Sequence, residues 1–196
     1  MVRSAIPSHI LKQLEHIEPG ARLSAGELPQ VSSSSGKTYY VKAGTARERE
    51  QYVGEAESLR AMALAAPGLA PSLLRFGFVD ENGEETDSSE GSPFFMSEYK
   101  NLTPLTERSG AVLGRRLATE MHNYTSPNLN GRLGHYGFGV PTFCGATRLR
   151  NGWYETWERC FDTLVGDLLS TLEARGGYSG LCGKGQEVRQ RRVCAF

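Results

Sequence analysis

Tyr39 to Leu64 reads YYVKAGTAREREQYVGEAESLRAMAL, and the physical reading of this stretch decides the fold. Tyr39, Tyr40 and Val41 are aromatic and β-branched, which predicts a strand with Lys42 at its end. Tyr52, Ala56, Leu59 and Met62 then recur at helical spacing, so a helix follows. Glu55 falls inside that apolar stripe, 13 residues after Lys42. A carboxylate on a buried helix face is unfavourable unless a cation meets it, and Lys42 on the preceding strand is the natural partner.

Upstream, a helix starts after Ser8, carries Ile10, Leu14 and Ile17 on one face and stops before Pro19-Gly20. Gly20 to Gly36 is Gly/Ser-rich, with the serine run Ser32 to Ser35. It reads either as a polar loop or as a turn between strands covering a nucleotide, although it lacks G-x-G-x-x-G glycines. Downstream, Ala66-Pro67-Gly68 and Pro71 break the helix, and Leu73 to Val79 reads as a strand. Asp80 to Ser92 holds six acidic residues and no basic one before the apolar run Phe94-Phe95-Met96. Two strands joined by a solvated, self-repelling loop account for this. A second helix is expected from about Thr106 to Tyr124 with Leu113, Leu117 and Met121 on one face. Gly131 to Gly145 reads as loop. A third helix begins near Trp153, aligns Trp157, Phe161, Leu164, Leu168 and Leu172, and ends at Gly176-Gly177. From residue 180 onward no apolar period is visible, and a disordered basic tail is expected.

The chain has 196 residues, enough for one moderate core or a small lobe with part of a second. Lys+Arg and Asp+Glu both total 22, so no whole-molecule field draws in nucleic acid or an anionic membrane, and neither is expected as a partner. Cys144, Cys160, Cys182 and Cys194 form no C-x-x-C pair. His9, His16, His122 and His135 stand at no metal-ligand spacing from them. Free thiols in a reducing compartment are the expectation. No signal or transit pattern and no apolar run near ~18 residues is found, which points to a soluble cytoplasmic protein.

Strand with lysine, helix with glutamate, strand, acidic turn and strand is the order of a five-stranded kinase-like N-lobe. There, a Lys–Glu pair holds the lysine against the α- and β-phosphates of ATP. Lys42 or Glu55 taken singly reads as a surface lysine or a half-buried carboxylate; in this order they read together. The fold class is α+β, an antiparallel sheet plus helix followed by the first helices of an incomplete C-lobe. Residues 1-23 form the N-terminal helix and linker, 24-99 the lobe, 100-179 the partial helical C-lobe and 180-196 the tail. The incomplete C-lobe leaves apolar surface of the third helix uncovered.

FFMSEY at Phe94–Tyr99, LATEMH at Leu117–His122, YGFGVPTFCG at Tyr136–Gly145 and WYETWERCF at Trp153–Phe161 resemble successive signatures of the fructosamine/ketosamine-3-kinases. The fungal-type members, described as protein-ribulosamine 3-kinases, are the most similar. The resemblance runs from about Ser24 to Arg175. It implies ATP- and Mg-dependent phosphorylation of ketosamines, on glycated protein lysines or as small molecules, which repairs the protein. By position it implies that Lys42 anchors the phosphates, Glu55 orients Lys42, and Ser97, Glu98 and Tyr99 offer backbone groups to adenine. The serine-rich stretch Ser32 to Gly36 departs from the family's phosphate-covering loop. The family's His-Gly-Asp-Leu-x-x-x-Asn loop and later metal-binding Asp have no counterpart. Beyond His135 the only aspartates are Asp162 and Asp167, so no catalytic or metal residue is assigned. The chain is therefore expected to be truncated before the catalytic loop and inactive as it stands. The alternative is a non-catalytic module that binds a nucleotide or a partner.

Overall fold

Five short runs pair antiparallel into one sheet: β1 (Leu23–Ala25), β2 (Gln30–Ser33), β3 (Thr38–Ala43), β4 (Leu73–Val79) and β5 (Ser92–Glu98), in the order β1-β2-β3-β5-β4. The structure is a computed structural model that describes residues 6–25, 28–125 and 134–190. The chain divides into two compact units, Met1–Thr125 and Ser126–Phe196. That division falls within the 100-179 segment that the sequence reading kept whole.

In the first unit, period-2 alternation assigns each side chain of the central strands to one face of the sheet. Tyr39, Val41, Phe94 and Met96 join Val31 and Val79 beneath Ile10 and Leu14 of helix α1 (Ser8–Ile17). Phe95 faces the other way, meeting Tyr52 and Ala56 of helix α2 (Arg49–Ala65), with Tyr40, Leu59, Leu73 and Phe76 around them. Because β5 is covered on both sides, it is buried continuously from Pro93 to Ser97, which explains its unbroken apolar sequence.

One expectation changes here. The acidic segment is ordered: the Asp80 carboxylate accepts the Asn82 and Glu84 amides at 2.9 and 3.0 Å, and Glu85 bridges back to Val79. Arg75 pairs with Glu85, Lys12 pairs with Glu84, and the Arg49 guanidinium donates to the Ser88 carbonyl at 2.9 Å. Cations from β4, α1 and α2 thus offset a repulsion that is uncompensated within the segment itself. Of the two readings of the serine run, a turn between strands is the one found. It is the β2–β3 turn, closed by the Ser33 amide on the Lys37 carbonyl at 2.8 Å, with Gly36 at φ +87.

Beside that turn, Glu18 ties α1 to the sheet. Its carboxylate accepts the Tyr39 hydroxyl at 2.6 Å, with Lys37 Nζ 3.8 Å away. Hydrogen bonds from Ser35, Tyr39 and Ser33 hold its pKa at about 2. A carboxyl depressed on folding contributes stability that is full above its ordinary pKa of 4.5 and fades as pH falls toward 2. Thermal melts from pH 5 to 2 should therefore show a steeper loss for the wild type than for Glu18→Gln. Parallel curves would remove this link.

Helix α3 (Glu107–Arg116) is capped by Thr106 and continues into a π-helical turn, Leu117–Met121, somewhat short of the expected Tyr124. In the second unit, the segment expected to be loop forms short ladders. β6 (Tyr136–Gly137) pairs β9 (Trp153–Tyr154), and β7 (Thr142–Cys144) pairs β8 (Thr147–Leu149). Helix α4 spans Trp157–Arg175, capped by Thr156 rather than starting at Trp153. Its buried residues are Cys160, Asp167 and Leu169, whereas Trp157 of the expected stripe is 45% exposed.

The expected tail forms helix α5 (Ser179–Gln190) up to residue 190, and the rest of it, including Cys194, lies outside the described residues. It docks on α4 without an apolar stripe. A Cβ on Gly185 would fall 2.5 Å from the Leu169 side chain, and Arg189 makes two bonds, of 2.7 and 2.9 Å, to Asp162. A contact made by a missing side chain and an ion pair leaves no hydrophobic period to read. No described helix is long and apolar enough to cross a membrane.

Candidate nucleotide site

Lys42 is the penultimate residue of the central strand β3, on the face toward α2, and Glu55 sits on the second turn of that helix. Lys42 Nζ meets Glu55 Oε2 at 2.6 Å, a charge-assisted hydrogen bond. The two side chains remain 28% and 35% exposed, so the pair is fixed in geometry and still open to solvent on one side.

The local sequence builds this pair in three steps. Residues 46–48 form a 3-10 turn in which Thr45 and Glu48 cap each other, setting the start of α2. The Tyr52 ring then lies under Lys42 Nζ at 4.9 Å, with the Phe95 ring at 5.9 Å. Burial, and then the charges of Glu48 and Glu55, push the Tyr52 phenol up to about 12. Sequence reading missed Tyr52 and Phe95 as neighbours of the lysine. The signal was the i, i+3 spacing of Tyr52 and Glu55, which places both on one helix face.

Ser97 and Glu98 close β5, and Tyr99 follows it. Ser97 is buried and opposite Tyr40, two residues along the ladder from the Lys42–Phe95 pair. The Glu98 amide donates to the Ser72 carbonyl at 3.0 Å and the Tyr99 amide to the Thr38 carbonyl at 3.4 Å. The sheet thus already uses two of the backbone donors expected to face adenine. The Glu98 carboxylate accepts the Ser72 amide at 3.0 Å and pairs with Lys100 at 2.8 Å. Those bonds, to Lys100 first, hold it below the usual carboxylate range.

Ser32 to Gly36 lies at the far end of β3 from Lys42, roughly 17 Å away at the rise of an extended chain. The turn on the lysine side is instead the β1–β2 connection, where the Val41 amide donates to the Pro29 carbonyl at 2.7 Å. The serine turn is therefore not beside Lys42, and composition does not say which end of a strand a turn occupies.

Asp162 and Asp167, the only aspartates beyond His135, are both engaged. Asp167 is buried and takes the Arg150 amide at 3.0 Å and its guanidinium at 2.6 and 3.1 Å. Asp162 holds Arg189, and each carboxyl lies below its ordinary range because of its arginine. Among the described residues no group of three or more His, Cys, Asp or Glu side chains is placed to hold a metal. The residues described here fit a phosphate-anchoring pair and do not by themselves fit a magnesium site.

A family model described as fructosamine kinase matches residues 3–191. The chain belongs to the fructosamine kinase family. A crystal structure from Haemophilus somnus 129PT, described as a "putative fructosamine-3-kinase", superposes with a TM-score of 0.55 at 21% identity, covering 79% of this chain and 48% of that one. The chain thus spans about half the length of that relative, and the likeness bears on the kinase-like α+β fold. No curated protein matches.

Proposed function

We propose that these residues form the nucleotide-anchoring part of an ATP-dependent ketosamine kinase. The observation that carries this reading is the 2.6 Å Lys42–Glu55 bond on the sheet face toward α2. Lys42 would hold the α- and β-phosphates and Glu55 would keep its ammonium aimed at them. Adenine would meet the chain at Ser97–Tyr99. With the Glu98 and Tyr99 amides already donated, its amino group would be met by carbonyls, whose second lone pair stays available. Magnesium would arrive on the ATP phosphates, since these residues supply it no carboxylate set. The acceptors would be ketosamines, on glycated proteins or free, in a reducing cytoplasmic compartment.

Phosphoryl transfer needs a base near the acceptor hydroxyl and metal-held phosphates. Asp162 and Asp167 are committed to arginines, which favours a second reading of the isolated chain as a nucleotide- or partner-binding module without turnover. Calorimetric titration with MgATP, paired with a ketosamine phosphorylation assay, tests both statements. Saturable binding without phosphate transfer is expected. Absence of binding would remove the nucleotide reading, and turnover that disappears in Lys42→Ala would remove the inactivity.

A further inference from the structure

We infer that Tyr52 is a positioning residue for Lys42, and that Gly44 is present to let the Tyr52 ring reach it. This rests on reading Lys42 as the phosphate anchor. The lysine stands between three groups of opposite or complementary character: the Glu55 carboxylate at 2.6 Å, and the Tyr52 and Phe95 rings at 4.9 and 5.9 Å from Nζ. A carboxylate alone fixes one contact and leaves a four-carbon side chain free to swing. An aromatic face beneath the ammonium restricts the remaining freedom through the ring quadrupole.

The ring itself is held. Tyr52 is 5% exposed and packs with Ala56 and Phe95. Gly44, two residues after Lys42, donates its amide to the Pro93 carbonyl at 2.9 Å, which pins the backbone where β3 ends. A Cβ at Gly44 would fall 2.8 and 2.9 Å from Tyr52 ring carbons, closer than real Cβ contacts allow. With the strand end pinned in this way, a larger residue at position 44 displaces the Tyr52 ring, which lies under the Lys42 ammonium. Tyr52, Glu55 and Gly44 therefore act as one device that sets the ammonium before a nucleotide arrives.

Acylation of each lysine by an N-hydroxysuccinimide ester, read by mass spectrometry on the 196-residue chain with and without MgATP, tests this. Tyr52→Phe keeps the ring and should leave the Lys42 rate unchanged. Tyr52→Leu and Gly44→Ala should each raise it about two- to fivefold, the scale of a half-exposed cation–ring contact. Their combination should be no faster than Tyr52→Leu alone, because Gly44→Ala acts only through the ring. Lys12, Lys37 and Lys100 report whether the fold is intact. If all of them label faster in Tyr52→Leu, the comparison passes to Tyr52→Met, which keeps volume without a ring. Equal Lys42 rates in wild type and the ringless variant, or additive effects in the double variant, overturn the inference. Failure of MgATP to protect Lys42 in the wild type removes the nucleotide reading instead, and the unliganded rates still judge the positioning.

Discussion

Phe95→Ala should lower the stability of the sheet-bearing unit by about 3–5 kcal/mol and, at the same time, release the Lys42–Glu55 pair. Phe95 is 1% exposed, lies opposite Lys42 on β5 and is the side chain on which Tyr52 and Ala56 of α2 rest. Removing the ring leaves a cavity directly under the helix that carries Glu55. Phe94 provides the control, since it is equally buried but faces α1 on the opposite side. Phe94→Ala should cost a similar amount and leave Lys42 in place. Typical domains have only ~5–15 kcal/mol in total, so both variants belong in urea titrations at low temperature, alongside Lys42 labelling. Equal effects of the two variants on Lys42 would show that the α2 seat does not govern the site.

Lys42→Ala should reduce MgATP affinity about 10- to 100-fold, the worth of one or two charge-assisted hydrogen bonds, with little change in melting temperature. The small stability effect follows from exposure. With both members about one-third open to solvent, the pair contributes at most about 1 kcal/mol to folding, within the range of surface ion pairs. Glu55→Gln keeps the cation and loses only its orientation, so the loss of affinity should be smaller. Calorimetry on the three proteins decides. A Lys42→Ala variant that binds as tightly as wild type would separate the ion pair from any nucleotide role.

These two predictions draw on different parts of what the sequence made legible. The Lys42–Glu55 pair followed from a local conflict, a carboxylate on an apolar helix face, that has few physical resolutions. Strands β3, β4 and β5 followed from their aromatic and β-branched runs, and α1 and α2 from their periods and stop signals, whereas β1 and β2 fall in the Gly/Ser-rich stretch that carries no such run. That the sheet itself takes up the Glu98 and Tyr99 amides, which the sequence reading offered to adenine, was less legible, because their partners Ser72 and Thr38 are remote in sequence. The same holds for the β6–β9 and β7–β8 ladders, whose two- and three-residue strands are too short to show a period.

By itself, the sequence determined the α+β class, the order of lysine strand and glutamate helix, and the family signatures from Phe94 to Phe161. All of these reside in local periodicity or in contiguous residues. Only the tertiary structure decided that the acidic turn is ordered by Lys12, Arg49 and Arg75, that the serine run sits away from Lys42, that α5 forms on Asp162 and Leu169, and that Tyr52 cradles the lysine. The physical reason is common to these cases. Each depends on a charge, a ring or an absent side chain supplied by a distant segment, and a one-dimensional pattern carries no record of which distant groups arrive at the same place.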